Sequence, residues 1–267
     1  MSHPPGAETV IERFAKICAS DERIVAAFVG GSIARGEADR FSDIDLCIVA
    51  RDEAADEVFA DRAAIVERLG TPLFLEDWSG EHPEVFVILA DGTDLELILI
   101  RARQIHELQV GPIRLVLDRT GILTDLDVLI SRPADDDQRA KLRELLAWFW
   151  HDVSHFIKAV GRGQLWWAAG EVEALRSYCV NVVRIQQGLE AGDEPYFKID
   201  AEMQTTTLDA IRSTFVPMEA DALVSAASQL VSFFEVNGRR TAGAFGLEYP
   251  IELNRVMRAR LDAIGSS

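Results

Sequence analysis

Two adjacent glycines between apolar runs leave this chain few ways to fold. The run Arg23-Ile24-Val25-Ala26-Ala27-Phe28-Val29 is short and rich in β-formers, and it ends at Gly30-Gly31-Ser32-Ile33-Ala34-Arg35-Gly36. A buried strand must therefore turn sharply at this point. Paired glycines let the backbone take φ values closed to other residues and approach a ligand, and Ser32 is placed to open a helix whose free N–H groups face an anion. After a short connector, Phe41-Ser42-Asp43-Ile44-Asp45-Leu46-Cys47-Ile48-Val49 reads as a second strand. Its period of two sends Asp43 and Asp45 to the same face. Two carboxylates so close repel unless a cation sits between them. A divalent ion bridging them to phosphate oxygens is the natural occupant, since Mg²⁺ is usually held by one or two carboxylates plus substrate phosphates. Singly, a Gly-Gly is a common turn and an Asp-x-Asp a common solvated face; only their conjunction is specific.

Gly31-Ser32, residues 33–42 and then Asp43-x-Asp45, set on strand, turn, short helix and strand, resembles the signature of the DNA polymerase β-like nucleotidyltransferase superfamily. Within that group, Gly30-Gly31-Ser32 with Arg35-Gly36, Asp39 and Phe41-Ser42-Asp43-Ile44-Asp45 resembles the aminoglycoside and lincosamide adenylyltransferases. The resemblance implies Mg²⁺-dependent transfer of a nucleoside monophosphate, AMP from ATP, to a hydroxyl of a small molecule. Asp43 and Asp45 would hold the metal, and Gly30, Gly31, Ser32 and Arg35 would meet the nucleotide.

A third acid is expected on a neighbouring strand. Glu84 to Ala90 and Thr93 to Ile100 flank Asp91-Gly92, a strong hairpin signal. It leaves Asp94 and Glu96 two apart on one face. The superfamily resemblance implies a carboxylate here, as a metal ligand or as the base for the incoming hydroxyl. Glu96, flanked by Leu95 and Leu97, is favoured, with Asp94 as its rival.

Ala7 to Ser20 and Ala54 to Leu69 carry helical spacing, the latter stopped by Gly70, and Ile113 to Asp118 is a further strand. Ser131-Arg132-Pro133-Ala134-Asp135-Asp136-Asp137 is rich in breakers and charge and marks a boundary. The expected fold is α+β: a polymerase β-like domain over residues 1–132, a mixed sheet with flanking helices, and a helical bundle over residues 133–267. The bundle helices run from about Gln138 to Val160, Trp166 to Gly188, Glu219 to Asn237 and Leu247 to Ile264.

Four of the five tryptophans, Trp148, Trp150, Trp166 and Trp167, lie in this half, where core packing is the default. The stretch from Leu146 to Trp167 also resembles the first bundle helices of the aminoglycoside 6-adenylyltransferase group, which roof the nucleotide and contribute to the acceptor pocket. That likeness implies contact of Lys158 with the triphosphate, supported by Arg162, and an acceptor pocket for which His151 and Trp166 are candidates. Glu171 and Glu173 open the following helix, where acids suit the macrodipole; the functional alternative is that Glu171 faces a cationic acceptor. His151 and His155 are spaced i, i+4 around Asp152, as on a metal-binding helix face. No third ligand is apparent from the sequence, so polar contacts of a pocket or bundle are the preferred reading.

Charge narrows the partners. The chain has 27 Lys plus Arg against 44 Asp plus Glu, a formal net charge of −17. A chain that grips long nucleic acid needs a basic face, so such a partner is disfavoured; the acidity either draws in a cationic small molecule or serves solubility alone. Three scattered cysteines support neither a disulfide framework nor a zinc knuckle. No leader and no span of apolar residues is evident, so a cytoplasmic protein with no membrane partner is expected. The rival functions are nucleotidylation of a protein or RNA target, and a catalytically silent nucleotide-binding or antitoxin module.

Overall fold

The alternation that turns Ile44, Leu46 and Ile48 one way and Asp45 and Cys47 the other decides how the first half is built. The computed structural model describes residues 6–80, 82–107, 111–124 and 135–265, and the chain divides into two compact units, Met1–Ser131 and Arg132–Ser267. The breaker-rich residues 131–134 lie outside the described residues.

In the first unit, α1 (Ala7–Ser20) leads into β1 (Ile24–Val29), α2 (Gly31–Arg35) and β2 (Ile44–Ala50). Then come α3 (Ala55–Ala60), α4 (Arg62–Leu69), β3 (Pro72–Trp78), β4 (Glu84–Leu89), β5 (Asp94–Arg101) and β6 (Arg114–Asp118). The strands form one mixed sheet in the order β3-β4-β5-β2-β1-β6. Only β2 and β5 are parallel neighbours; the other pairs are antiparallel. Gly92, at φ +80, makes the β4–β5 turn that the Asp-Gly pair promised.

One sheet face is covered by helices: Phe14 and Ile17 of α1 and Val58, Val66 and Leu69 of α3 and α4 pack on Ile44, Leu46, Ile48, Leu95, Leu97 and Leu99. The opposite face has a smaller cluster, with Phe28, Cys47, Val49 and Ile100 under Ile105 and Leu123. The acids of β2 and β5 belong to this thinly covered face.

Three expectations need correction. The helix read over Ala54 to Leu69 is broken at Asp61, whose carboxylate pairs with Arg23 at 2.8 Å while the adjacent Arg62 pairs with Asp77 at 2.6 Å. Strand β3 was not foreseen; it begins with a proline and sits at the sheet edge with exposed Leu73, Phe74, Leu75 and Trp78, so no alternation marks it. Asp135, Asp136 and Asp137, read as boundary, form the first turn of α5 (Asp135–Gly161), where acids suit the positive end of the helix dipole.

The second unit continues with α6 (Leu165–Gln186), the short α7 (Ile199–Glu202) and α8 (Thr205–Arg212), α9 (Ala220–Ala244) and α10 (Ile251–Gly265). Pro250 sets the start of α10 later than the expected Leu247. The core centres on Phe149 stacked face to face on Phe234, with centroids 3.6 Å apart, and on the fully buried Trp150 set edge-on to both. Of the four tryptophans read as packing residues, only Trp150 is buried; Trp148, Trp166 and Trp167 are exposed. All three cysteines are buried and free. No helix among the described residues is long and apolar enough to cross a membrane.

Candidate active site

Strand β1 ends where Gly30 donates its N–H to the carbonyl of Asp45 at 2.8 Å, tying the glycine turn to the acid-bearing strand. Gly31 follows at φ +56, and a Cβ built there would stand 1.6 Å from Asp45 Oδ2. Both the backbone angle and the space therefore demand glycine. The start of α2 leaves the amides of Gly31, Ser32 and Ile33 without intrahelical partners, because the first bond is from Ala34 N–H to the Gly30 carbonyl. Ser32 Oγ is buried with no hydrogen-bond partner among the described residues. A buried hydroxyl left so costs on the order of 1–3 kcal/mol, the kind of debt a ligand oxygen settles. The chain then passes through a polar turn, with Asp39 Oδ1 accepting from Phe41 N–H at 2.8 Å, and returns to β2 with Phe41 exposed.

The parallel register of β2 and β5 sets Ile44 opposite Leu95 and Asp45 opposite Glu96. As a result, Asp43, Asp45 and Glu96 offer carboxylate oxygens that all lie within 4.8 Å of one another. Asp94 does not join them: it is exposed at the first position of β5, one strand repeat (about 7 Å) before Glu96. Three ionised carboxylates at this separation repel by roughly 3–4 kcal/mol a pair at an effective dielectric of 20. Accordingly Glu96 is pushed up to about 7, first by burial and then by the charges of Glu84, Asp43 and Asp45. Glu84 was missed at the sequence level. It stands opposite Ile98, diagonal to Glu96 on the same face, a placement the Asp91-Gly92 hairpin register already contained.

The other predicted nucleotide contacts are placed differently. Arg35 is exposed and engaged by Glu37 at 2.7 Å. Lys158 is exposed on α5, and Arg162 just beyond its end, in the second unit.

That unit holds a second polar cluster. His151 Nδ1 lies 2.7 Å from Asp152 Oδ1, and His155 Nδ1 lies 3.8 Å from Glu171 Oε1 on α6. Trp167 Nε1 donates to Glu171 at 2.5 Å, and Tyr178 OH to Asp152 at 2.8 Å. The Glu171 carboxyl is raised, chiefly by burial, with Trp167's hydrogen bond opposing. Trp166, the tryptophan picked from sequence, is 82% exposed; its neighbour Trp167 is the one against Glu171 and His155. The i, i+4 spacing of Trp167 and Glu171 was the available signal.

The structure is similar to that of an aminoglycoside 6-adenyltransferase from Bacillus subtilis, at 15% identity over 98% of each chain with a TM-score of 0.45. It is also similar to a nucleotidyltransferase-like protein from Exiguobacterium sibiricum, at 9% identity over 97% of this chain and 89% of that one, TM-score 0.44. No curated protein matches. The profile of the streptomycin adenylyltransferase family matches residues 6–264, nearly the whole chain, including the Gly31-Ser32 turn and all three clustered carboxylates. This chain belongs to the streptomycin adenylyltransferase family and is an adenylyltransferase.

Proposed function

We propose that the protein transfers AMP from Mg²⁺-ATP to a hydroxyl of an aminoglycoside-like acceptor. The observation that carries this reading is the convergence of Asp43, Asp45 and Glu96 within 4.8 Å, beside a glycine turn and a buried, unpartnered Ser32 hydroxyl. The donor set is all oxygen and anionic, which fits Mg²⁺. Asp43, Asp45 and Glu96 are the residues that would hold it. When bound, the ion supplies charge neutralisation at the phosphates.

The chain's own groups account for the remaining work. Ser32 Oγ and the free amides of Gly31 and Ser32 donate hydrogen bonds to the phosphates that leave as pyrophosphate. Glu96 accepts the proton of the acceptor hydroxyl as the new O–P bond forms and the bond between the α-phosphorus and its bridging oxygen breaks. Lys158, Glu171, His151 and Trp166 are the second unit's candidates for substrate contacts in the same proposal. The net charge of −17 favours a cationic acceptor over nucleic acid. This reading sets the reaction in the cytoplasm, where ATP and Mg²⁺ are supplied.

The test is the nearly isosteric double variant Asp43→Asn with Asp45→Asn, assayed for pyrophosphate release with ATP, Mg²⁺ and streptomycin. Turnover should fall at least about 1,000-fold, in keeping with the weight of electrostatic stabilisation in such transfers, while the circular dichroism spectrum is unchanged. Wild-type turnover in the folded double variant would refute the mechanism.

A further inference from the structure

We propose that the helical unit carries a transition-metal site of the zinc class, held by His151, Asp152 and His155 of α5 with Glu171 of α6. The sequence offers only a His pair with a carboxylate between them. Helix packing supplies the rest. His151, Asp152 and His155 present ligand atoms within 4.8 Å of one another, and Glu171 faces His155 from the adjacent helix.

The arrangement has the marks of a supported ligand set. The two imidazole centroids are 4.1 Å apart. Each carboxylate accepts from a further donor: Asp152 Oδ2 from Tyr178 OH and Glu171 Oε1 from Trp167 Nε1. Such outer partners orient metal ligands and are worth about 10–100-fold in affinity. Trp148 packs edge-on against His151 and Trp167 lies against His155, walling the cluster on two sides. The side chains of Asp152 and Glu171 are 14% and 12% exposed, while that of His151 is 47% exposed. An ion would thus be reached from the His151 side and keep water in its shell, unlike a closed structural zinc site.

Donor chemistry separates this site from the carboxylate trio. Two nitrogens and two oxygens suit borderline ions such as Zn²⁺, Co²⁺ or Ni²⁺, whereas three carboxylates suit Mg²⁺. The site stands whether or not the acceptor also draws on Glu171 and His151.

The experiment titrates the chelator-treated full-length protein with Zn²⁺ by calorimetry, in excess Mg²⁺, and with Co²⁺ by visible absorption. One equivalent should bind saturably in the micromolar range, with ligand-field bands showing nitrogen coordination. Asp43→Asn with Asp45→Asn should leave this binding intact. His151→Ala with His155→Gln should weaken it by more than about 100-fold, and Tyr178→Phe by about 10-fold, the low end for an outer-shell partner. Should the double His variant fail to fold, Asp152→Asn with Glu171→Gln carries the same expectation. No saturable binding in that range, wild-type affinity in a folded ligand variant, or loss of binding with the Asp43 and Asp45 changes would each overturn the proposal.

Discussion

Replacing Glu96 by Gln should stabilise the metal-free protein while destroying its activity. Glu96 is pushed from 4.5 up to about 7 by burial and by Glu84, Asp43 and Asp45. Because the folded-state value is raised, the folded protein holds this proton more tightly than the unfolded chain. The cost of ionising it is absent below about pH 4.5, grows between there and pH 7, and is complete above. Lifting a carboxyl that far corresponds to roughly 3 kcal/mol if fully felt. Glu96 is only partly buried, so solvent screening reduces this to about 1–2 kcal/mol. For a unit of this size that is about 3–6 °C in melting temperature. Thermal melts of Glu96→Gln and wild type in chelator should therefore coincide near pH 4 and diverge by that amount at pH 8, with the variant higher. Saturating Mg²⁺-ATP should reverse the order, since wild type alone retains all three carboxylates. A variant that melts below wild type at pH 8 without metal, or gains equally at pH 4 and pH 8, would refute the argument that burial, with the neighbouring acids, holds the Glu96 carboxyl up.

Gly31→Ala should lower turnover at least about 100-fold, because its Cβ would displace the Asp45 carboxylate, while the positive φ adds about 1–2 kcal/mol of strain; pyrophosphate release and a urea melt separate the two effects. Phe149→Ala should cost about 3–5 kcal/mol by opening a cavity against Phe234, read as a lower denaturation midpoint.

Much of the first unit was readable because its signals are local. The period of two in Asp43-Ile44-Asp45 and Leu95-Glu96-Leu97, with glycines at the strand end, defines which side chains share a face whatever the rest of the chain does. The choice between Glu96 and Asp94 was not local. It depended on the parallel register that sets Asp45 opposite Glu96, a pairing joined across dozens of intervening residues. Edge strand β3 escaped for the opposite reason: with its side chains largely exposed, burial imposed no pattern on it.

The second unit divides in the same way. Its helices could be read from apolar periodicity, since a buried stripe recurs every three or four residues. The pairing of Trp167 with Glu171 was carried only by their i, i+4 spacing, and the contact of Trp167 with His155, with Trp166 left exposed, follows from the direction in which α6 turns the two rings. The chain's order of residues was thus enough to specify a glycine-lined turn, a pair of acids beside it and a helical second half, all products of short-range geometry. Gathering Asp43, Asp45 and Glu96 into one cluster, and His151, Asp152, His155 and Glu171 into another, required strands and helices distant in sequence to pack, and packing is where long-range contacts alone set the distances.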